Sequence, residues 1–201
     1  MNYFLLIILI FLIFEYILEI ISKYYNLRSL KTNLPLEFNN FYSQKKYTLS
    51  QEYTRENIKF TIYTSTLNLL ILISVILFGG FNYLDLFLRN FNINNDVFLG
   101  VLYFVIIILF NTILSLPKSY YSTFYIEQKY GFNKSTKTLF VSDTVKQIFL
   151  SMIIGSIIIF LLLSTYEYIG QYAWLFCWFF LSIIIVLMPI IYINIIAPIF
   201  N

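Results

Sequence analysis

Histidine is absent from all 201 residues, so the commonest metal ligand, imidazole, is unavailable anywhere in the chain. There is one cysteine, which excludes any disulfide within the chain. Cys177 lies amid Trp174, Phe176, Trp178 and Phe179, where it reads as a small buried hydrophobe. Burial in apolar surroundings raises a thiol pKa and leaves it inert. Charge is scarce as well, at 11% of residues against about a quarter in soluble domains. With 60% hydrophobic residues and a mean hydropathy of +0.79, water is not the solvent for most of this surface. No internal repeat is evident, and no apolar run carries the Gly/Pro-broken pair that marks a transporter midplane site.

What is present in abundance is the long apolar run. A hydrocarbon core of roughly 30 Å takes about 20 helical residues to cross. Runs of that order occur at 3–21, 61–80, 97–116, 148–164 and 172–196, which predicts an all-α, polytopic membrane protein with five transmembrane helices. The first run has no Lys or Arg ahead of it and no small-x-small cleavage site, so it reads as an anchor rather than a signal peptide. Its fifteen Leu, Ile and Phe residues favour insertion by about 0.3 to 0.6 kcal/mol each. That outweighs the cost of about 3 kcal/mol for Glu15 at mid-span.

Orientation follows from the basic residues. Twelve of the thirteen lie between runs one and two or between runs three and four; the thirteenth, Arg89, is in the second loop. The positive-inside rule then places the N-terminus outside and the C-terminus in the cytoplasm. Glu37, Glu52, Glu56 and Glu127 interrupt the basic loops, so these read as topology signals rather than nucleic-acid or lipid-headgroup sites. No nucleic-acid partner is expected.

Amphipathic loop helices are expected on the cytoplasmic side. Pro35 fits the first turn of a short helix through Phe38 and Phe41. Thr48-Leu49-Ser50-Gln51 matches a capping box, and Glu52 with Arg55 and Glu56 with Lys59 are spaced for i,i+3 pairs on a helix that runs on into the second span. Gly79-Gly80 end the second run. Pro117 stands at the cytoplasmic end of the third, after which Tyr120, Tyr121, Phe124 and Tyr125 continue as a headgroup-level segment. Tyr130-Gly131 reads as a stop, with Asn133 or Ser135 capping a new helix that carries Phe132, Thr136, Leu139 and Phe140 near one face and lies along the membrane. Two such pieces joined by a tight corner would make a docking ledge. Pro189 is expected to kink the fifth span.

The ordered motif Leu116-Pro117 through Tyr120, Thr123-Phe124, Ile126-Glu127, Gly131-Phe132-Asn133-Lys134 and Thr136, followed by Phe140, Asp143 and Lys146, resembles the N-terminal five-helix region of the CAAX prenyl protease 1 family. Leu34-Pro35-Leu36-Glu37-Phe38 before Lys45-Lys46-Tyr47, the helix 53–60 and the final Ile196-Ala197-Pro198-Ile199-Phe200-Asn201 support the resemblance, which extends over nearly the whole chain. That family comprises integral-membrane zinc metalloendopeptidases. The resemblance implies that a catalytic domain, with zinc on an H-E-x-x-H helix and a later glutamate, follows the position of Asn201. It implies for residues 1–201 a scaffold role: chamber wall and docking loops, with the bilayer, a catalytic metallopeptidase domain and membrane or prenylated protein substrates as partners. No catalytic or zinc-binding residue carries over, and the chain is expected to be inactive alone. The abrupt apolar end suggests a truncated or split product, and the bacterial plasma membrane is favoured over the endoplasmic reticulum.

Polar residues in the spans keep two readings. Glu15 and Glu19 lie one helical turn apart; Glu19 can pair with Lys23 near the interface, while Glu15 either snorkels or faces a water-filled chamber. Asn68, Asn111, Thr112 and Asn194 read as helix–helix hydrogen-bonding groups, with substrate contact as the alternative. Glu127 is expected to pair with a loop lysine. The competing function is a stand-alone five-span scaffold or binding protein.

Overall fold

The computed structural model describes residues 3–35 and 43–200. Among them there is helix and turn and no strand. Helix α1 spans Tyr3–Ser29. Helix α2 spans Gln44–Leu77, α3 spans Gly80–Arg89 and α4 spans Asp96–Tyr121. A π-helical turn, Ser122–Glu127, continues α4. Helix α5 runs over Lys137–Ile169, and a 3₁₀ turn at Gly170–Tyr172 leads to α6 at Ala173–Ile191. A second π turn, Tyr192–Ile196, and the short α7, Ala197–Phe200, complete the described chain. Two compact units emerge, one from residues 1–81 and 117–134, the other from 82–116 and 135–201.

Four continuous helical stretches are long and apolar enough to cross a membrane: Tyr3–Ser29, Gln44–Leu77, Asp96–Glu127 and Lys137–Phe200. The last contains two crossings, because the chain turns back on itself at Gly170. There φ is 63° and ψ is −123°, a conformation that a side chain resists. The reversal shows in the pairs it brings together: Cys177 Sγ lies 3.9 Å from the Leu162 carbonyl, and Lys146 Nζ lies 3.0 Å from the Ile199 carbonyl. Most large apolar side chains on all these helices stay exposed, which is the pattern of a lipid-facing surface rather than a water-facing one.

In the first unit α1 and α2 pack as an antiparallel hairpin. The Tyr16 and Thr66 hydroxyls lie 2.6 Å apart. Glu19 pairs with Lys23 and accepts from Ser65 at 2.9 Å, while Lys23 also reaches the Ser65 hydroxyl at 3.2 Å. The interhelix bonds in the span thus come from Tyr, Ser and Thr. Thr112 and Asn194, by contrast, bond back to the carbonyls of Ile108 and Ile190 in their own helices. A short polar side chain meets its own i−4 carbonyl before it can reach a neighbour. Asn68 and Asn111 are exposed.

In the second unit α4 and α5 meet through side chains that lie over glycines. A Cβ on Gly100 would lie 2.5 Å from Leu163 Cδ1, and one on Gly155 would lie 2.8 Å from Ile108 Cδ1. Glycine at these two positions makes room for the Leu163 and Ile108 side chains of the facing helix.

Several local expectations are revised. Helix α2 begins at Gln44 with Ser43 as its cap, not at a Thr48 capping box. Gln44 explains the early start: it accepts from the Leu34 amide at 2.9 Å and donates to the Thr32 carbonyl at 2.7 Å, tying the helix start to the preceding loop. Thr48 lies inside the helix and donates to the Gln44 carbonyl. Helix α5 is capped by Thr136, whose hydroxyl accepts from the Leu139 amide, rather than by Asn133 or Ser135. It continues unbroken into the fourth span, so the helix expected to lie along the membrane is the start of α5. Among the described residues the segment before the second span is likewise part of α2. Between Gly79 and the polar turn stands α3, with an Asp85–Arg89 ion pair of 2.9 Å, which the apolar-run reading passed over. Pro117 and Pro189 both sit inside helices, each followed by a π turn that re-sets the hydrogen-bond register. The short helix expected over Phe38 and Phe41, with Glu37 and Phe38 of the motif, lies outside the described residues.

Candidate functional site

The motif residues gather in two places. The larger is a corner in the first unit where the π turn and its exit pack on α2. Ile126 is the anchor, with only 1% of its surface exposed. Gly131, at φ 74°, reverses the chain, and the Phe132 amide donates to the Glu127 carbonyl at 2.8 Å to close the turn. This is a left-handed helix end, for which glycine is the natural residue.

The closed turn aims three side chains at α2. Lys129 Nζ lies 2.6 Å and the Tyr130 hydroxyl 2.7 Å from the same Glu56 carboxylate oxygen. Phe132 packs edge-on against Tyr53 with ring centroids 4.8 Å apart, and Tyr130 approaches that same ring at 5.7 Å. Further along, Phe60 meets Tyr121 at 4.9 Å, Tyr120 meets Phe124 at 4.8 Å, and Tyr121 stacks on Tyr125 at 5.0 Å. Thr123 lies within the π turn, and Lys134 is exposed just past Phe132.

The electrostatics follow from these contacts. Hydrogen bonds from Lys129 and then Tyr130 hold the Glu56 carboxyl below its ordinary value of 4.5. The same carboxylate raises Tyr130 above 10.0 and Lys129 above 10.5. Glu56 therefore stays ionised at neutral pH as an acceptor for two donors. Among the described residues Glu127 makes no ion pair, so the expected pair with a loop lysine is not formed; the nearby Lys129 is held by Glu56 instead. Glu56 in turn leaves Lys59 only a longer-range attraction, so the expected i,i+3 pair is not a contact. Beside the corner Leu34, Pro35, Lys46, Tyr47, Leu49, Ser50 and Phe132 line an open, mostly apolar cleft of about 740 Å³.

The smaller group lies in the second unit. Lys146 pairs with Asp143 at 3.4 Å, donates to the Ile199 carbonyl and lies 5.8 Å from the Phe200 ring centroid. The motif's Asp143 and Lys146 thus meet the chain at the residue after Pro198. Glu15 is exposed on α1 and joins neither group.

Sequence reasoning missed Glu56 and Tyr53 because spacing along α2 offered Glu56 a nearer lysine. The signal lay in the motif's own Lys129-Tyr130, two donors on a turn that had to face something.

Among the described residues no group of three or more His, Cys, Asp or Glu could hold a metal ion. With no histidine in the whole chain, the residues present do not fit a zinc site.

Apolar helices long enough to cross a bilayer, exposed apolar surface and a membrane-flanking corner built from helix extensions together define a polytopic α-helical membrane protein. A family model described as the CAAX prenyl protease N-terminal region, with five membrane helices, matches residues 23–201. The chain belongs to this family. The CAAX prenyl protease 1 homolog of Dictyostelium discoideum is 29% identical, with 100% of this chain and 48% of that protein covered. CAAX prenyl protease 1 of Saccharomyces cerevisiae is 30% identical, over 85% of this chain and 40% of that protein. The crystal structure of S. mikatae Ste24p matches with a TM-score of 0.87 and 26% identity, covering 100% of this chain and 48% of that one. The chain spans about half the length of the curated relatives it matches.

Proposed function

We propose that this chain is the membrane-embedded N-terminal part of a zinc metalloendopeptidase of the CAAX prenyl protease type, supplying chamber wall and docking loops to a catalytic part that carries the metal. The observation that carries this reading is the full-length structural likeness to one half of a protease chain, in a sequence with no histidine to bind zinc. The corner at Glu56, Lys129 and Tyr130, with the adjoining cleft, is the docking element: it is tied to α2 by two hydrogen bonds and a ring contact, lies beyond the apolar part of α2 and adjoins apolar surface that includes Lys46. In the complete enzyme the metal would polarise the scissile carbonyl; this chain's residues shape the space and bear no proton-transfer role. The N-terminus lies outside and the C-terminus in the cytoplasm, as the placement of twelve of thirteen basic residues supports.

The test is the purified chain alone. It is expected to bind no stoichiometric zinc and to cut no peptide, prenylated or not. Chelator-sensitive cleavage by it would overturn the reading. Coding sequence following Asn201 that specifies an H-E-x-x-H helix would support it. In that longer protein a cysteine introduced by Glu15→Cys is expected to react with a water-soluble thiol reagent; full protection would place Glu15 against lipid or protein rather than in a chamber.

A further inference from the structure

Three helix ends of the first unit each carry a lysine just beyond an apolar run. Lys23 on α1, Lys59 on α2 and Lys118 on α4 each stand two residues beyond an apolar run, at 3–21, 61–80 and 97–116 respectively. At 1.5 Å per residue that is about 3 Å past the hydrocarbon edge, inside a headgroup layer roughly 5 to 7 Å thick. Tertiary contacts bring these ends together. Lys23 reaches Ser65 on α2 at 3.2 Å, Phe60 packs on Tyr121 at 4.9 Å, and Lys118 acts with Lys23 on the Glu19 carboxylate.

The acidic residues near these ends have their hydrogen bonds elsewhere and reach Lys59 and Lys118 only at longer range. Glu19 is held by Lys23 and Ser65, and Glu56 by Lys129 and Tyr130. Glu52 and Glu127 stand seven and nine residues further out along their helices, and Glu15 lies deeper in α1. Neither Lys59 nor Lys118 forms an ion pair among the described residues. Around them Tyr24, Tyr25, Tyr120 and Tyr121 are 41 to 64% exposed, with rings suited to the headgroup level. A lysine ammonium with no carboxylate in ion-pair contact, flanked by tyrosines, is complementary to a phosphodiester that carries net negative charge.

We propose that these α1, α2 and α4 ends form a preferential binding surface for anionic phospholipid headgroups in one leaflet, with Lys59 and Lys118 as the principal contacts. The surface is independent of the protease reading. It also gives two of the loop lysines a role besides orienting the chain.

The test uses the full chain reconstituted in vesicles of phosphatidylcholine with a minor fraction of phosphatidylglycerol, with co-isolated lipids counted by native mass spectrometry. The unaltered protein is expected to retain phosphatidylglycerol above its bulk fraction. The double substitution Lys59→Gln with Lys118→Gln is expected to weaken that enrichment by about five-fold per lysine. A matched control, Lys45→Gln with Lys46→Gln, removes equal charge about 20 Å further along α2 and is expected to leave enrichment intact. Equal loss in both pairs would make the effect one of net charge and overturn the proposal, as would no loss in the first. Excess inorganic phosphate is expected not to displace the lipid; displacement would assign the site to free phosphate. Should the first pair fail to fold, Lys59→Arg with Lys118→Arg must retain enrichment that high salt then abolishes, or the proposal fails.

Discussion

Tyr130→Phe removes one hydroxyl and leaves the ring that approaches Tyr53 in place. The lost bond, 2.7 Å to the Glu56 carboxylate, is charge-assisted, a class worth about 1.5–3 kcal/mol when protected from water. The Glu56 side chain is 31% exposed, so solvent competes and about 1 kcal/mol is the expected loss. Opening the corner must break this bond, so the open fraction rises about five-fold at that cost. The Phe132 amide, which donates to the Glu127 carbonyl, reports the opening by hydrogen exchange. Phe132→Ala is expected to do more, read from neighbouring amides. It forfeits about half a Phe burial, roughly 1 kcal/mol, and the edge-on contact with Tyr53, about 0.5–1.5 kcal/mol, for some thirty-fold faster exchange. The pH window follows from the direction of each shift. Glu56 titrates lower in the folded corner than its ordinary 4.5, so its contribution is fully present above that pH and fades as pH falls through the folded value. Tyr130 and Lys129 titrate higher than 10.0 and 10.5, so theirs is present below those values and fades as pH rises through the folded ones. Exchange is therefore expected to show corner stability flat from about pH 6 to 9. Unchanged protection in both Tyr130→Phe and Glu56→Gln would refute the clamp.

Gly131→Ala forces a side chain into φ 74° and is expected to cost about 1–2 kcal/mol, visible as faster exchange confined to residues 127–133. Gly100→Leu overfills the α4–α5 contact at Leu163 and is expected to destabilise by about 1–3 kcal/mol, read as a lower unfolding temperature in detergent; Gly100→Ala should cost less, because Leu163 Cδ1 can swing away. Tyr16→Phe removes the α1–α2 hydroxyl pair and is expected to cost only about 0.6 kcal/mol, the average for such bonds in a bilayer, as a double-mutant cycle with Thr66→Ala would measure.

Much of the architecture was legible along the chain. The third and fourth apolar runs fall inside α4 and α5, the first inside α1, and the second ends at Leu77 with Gly79 in a left-handed turn. Glycine marked the stop at Gly131 because only the local backbone is at issue there. Helix starts were less legible. Thr48 carried a capping pattern as good as any, yet Ser43 won, since Gln44 gained two bonds to a loop ten residues away. The small amphipathic α3 escaped notice because an apolar-run reading sees only segments long enough to cross lipid.

The sequence by itself determined that this is a multi-pass helical membrane chain without histidine, because run length against bilayer thickness and residue counts are properties of the chain, not of its folding. Tertiary structure alone decided the partners. Glu56 had Lys59 one turn away and took Lys129, seventy-three residues on, together with Tyr130, because a closed turn delivers two donors already fixed in place, whereas a flexible neighbour must be ordered for one.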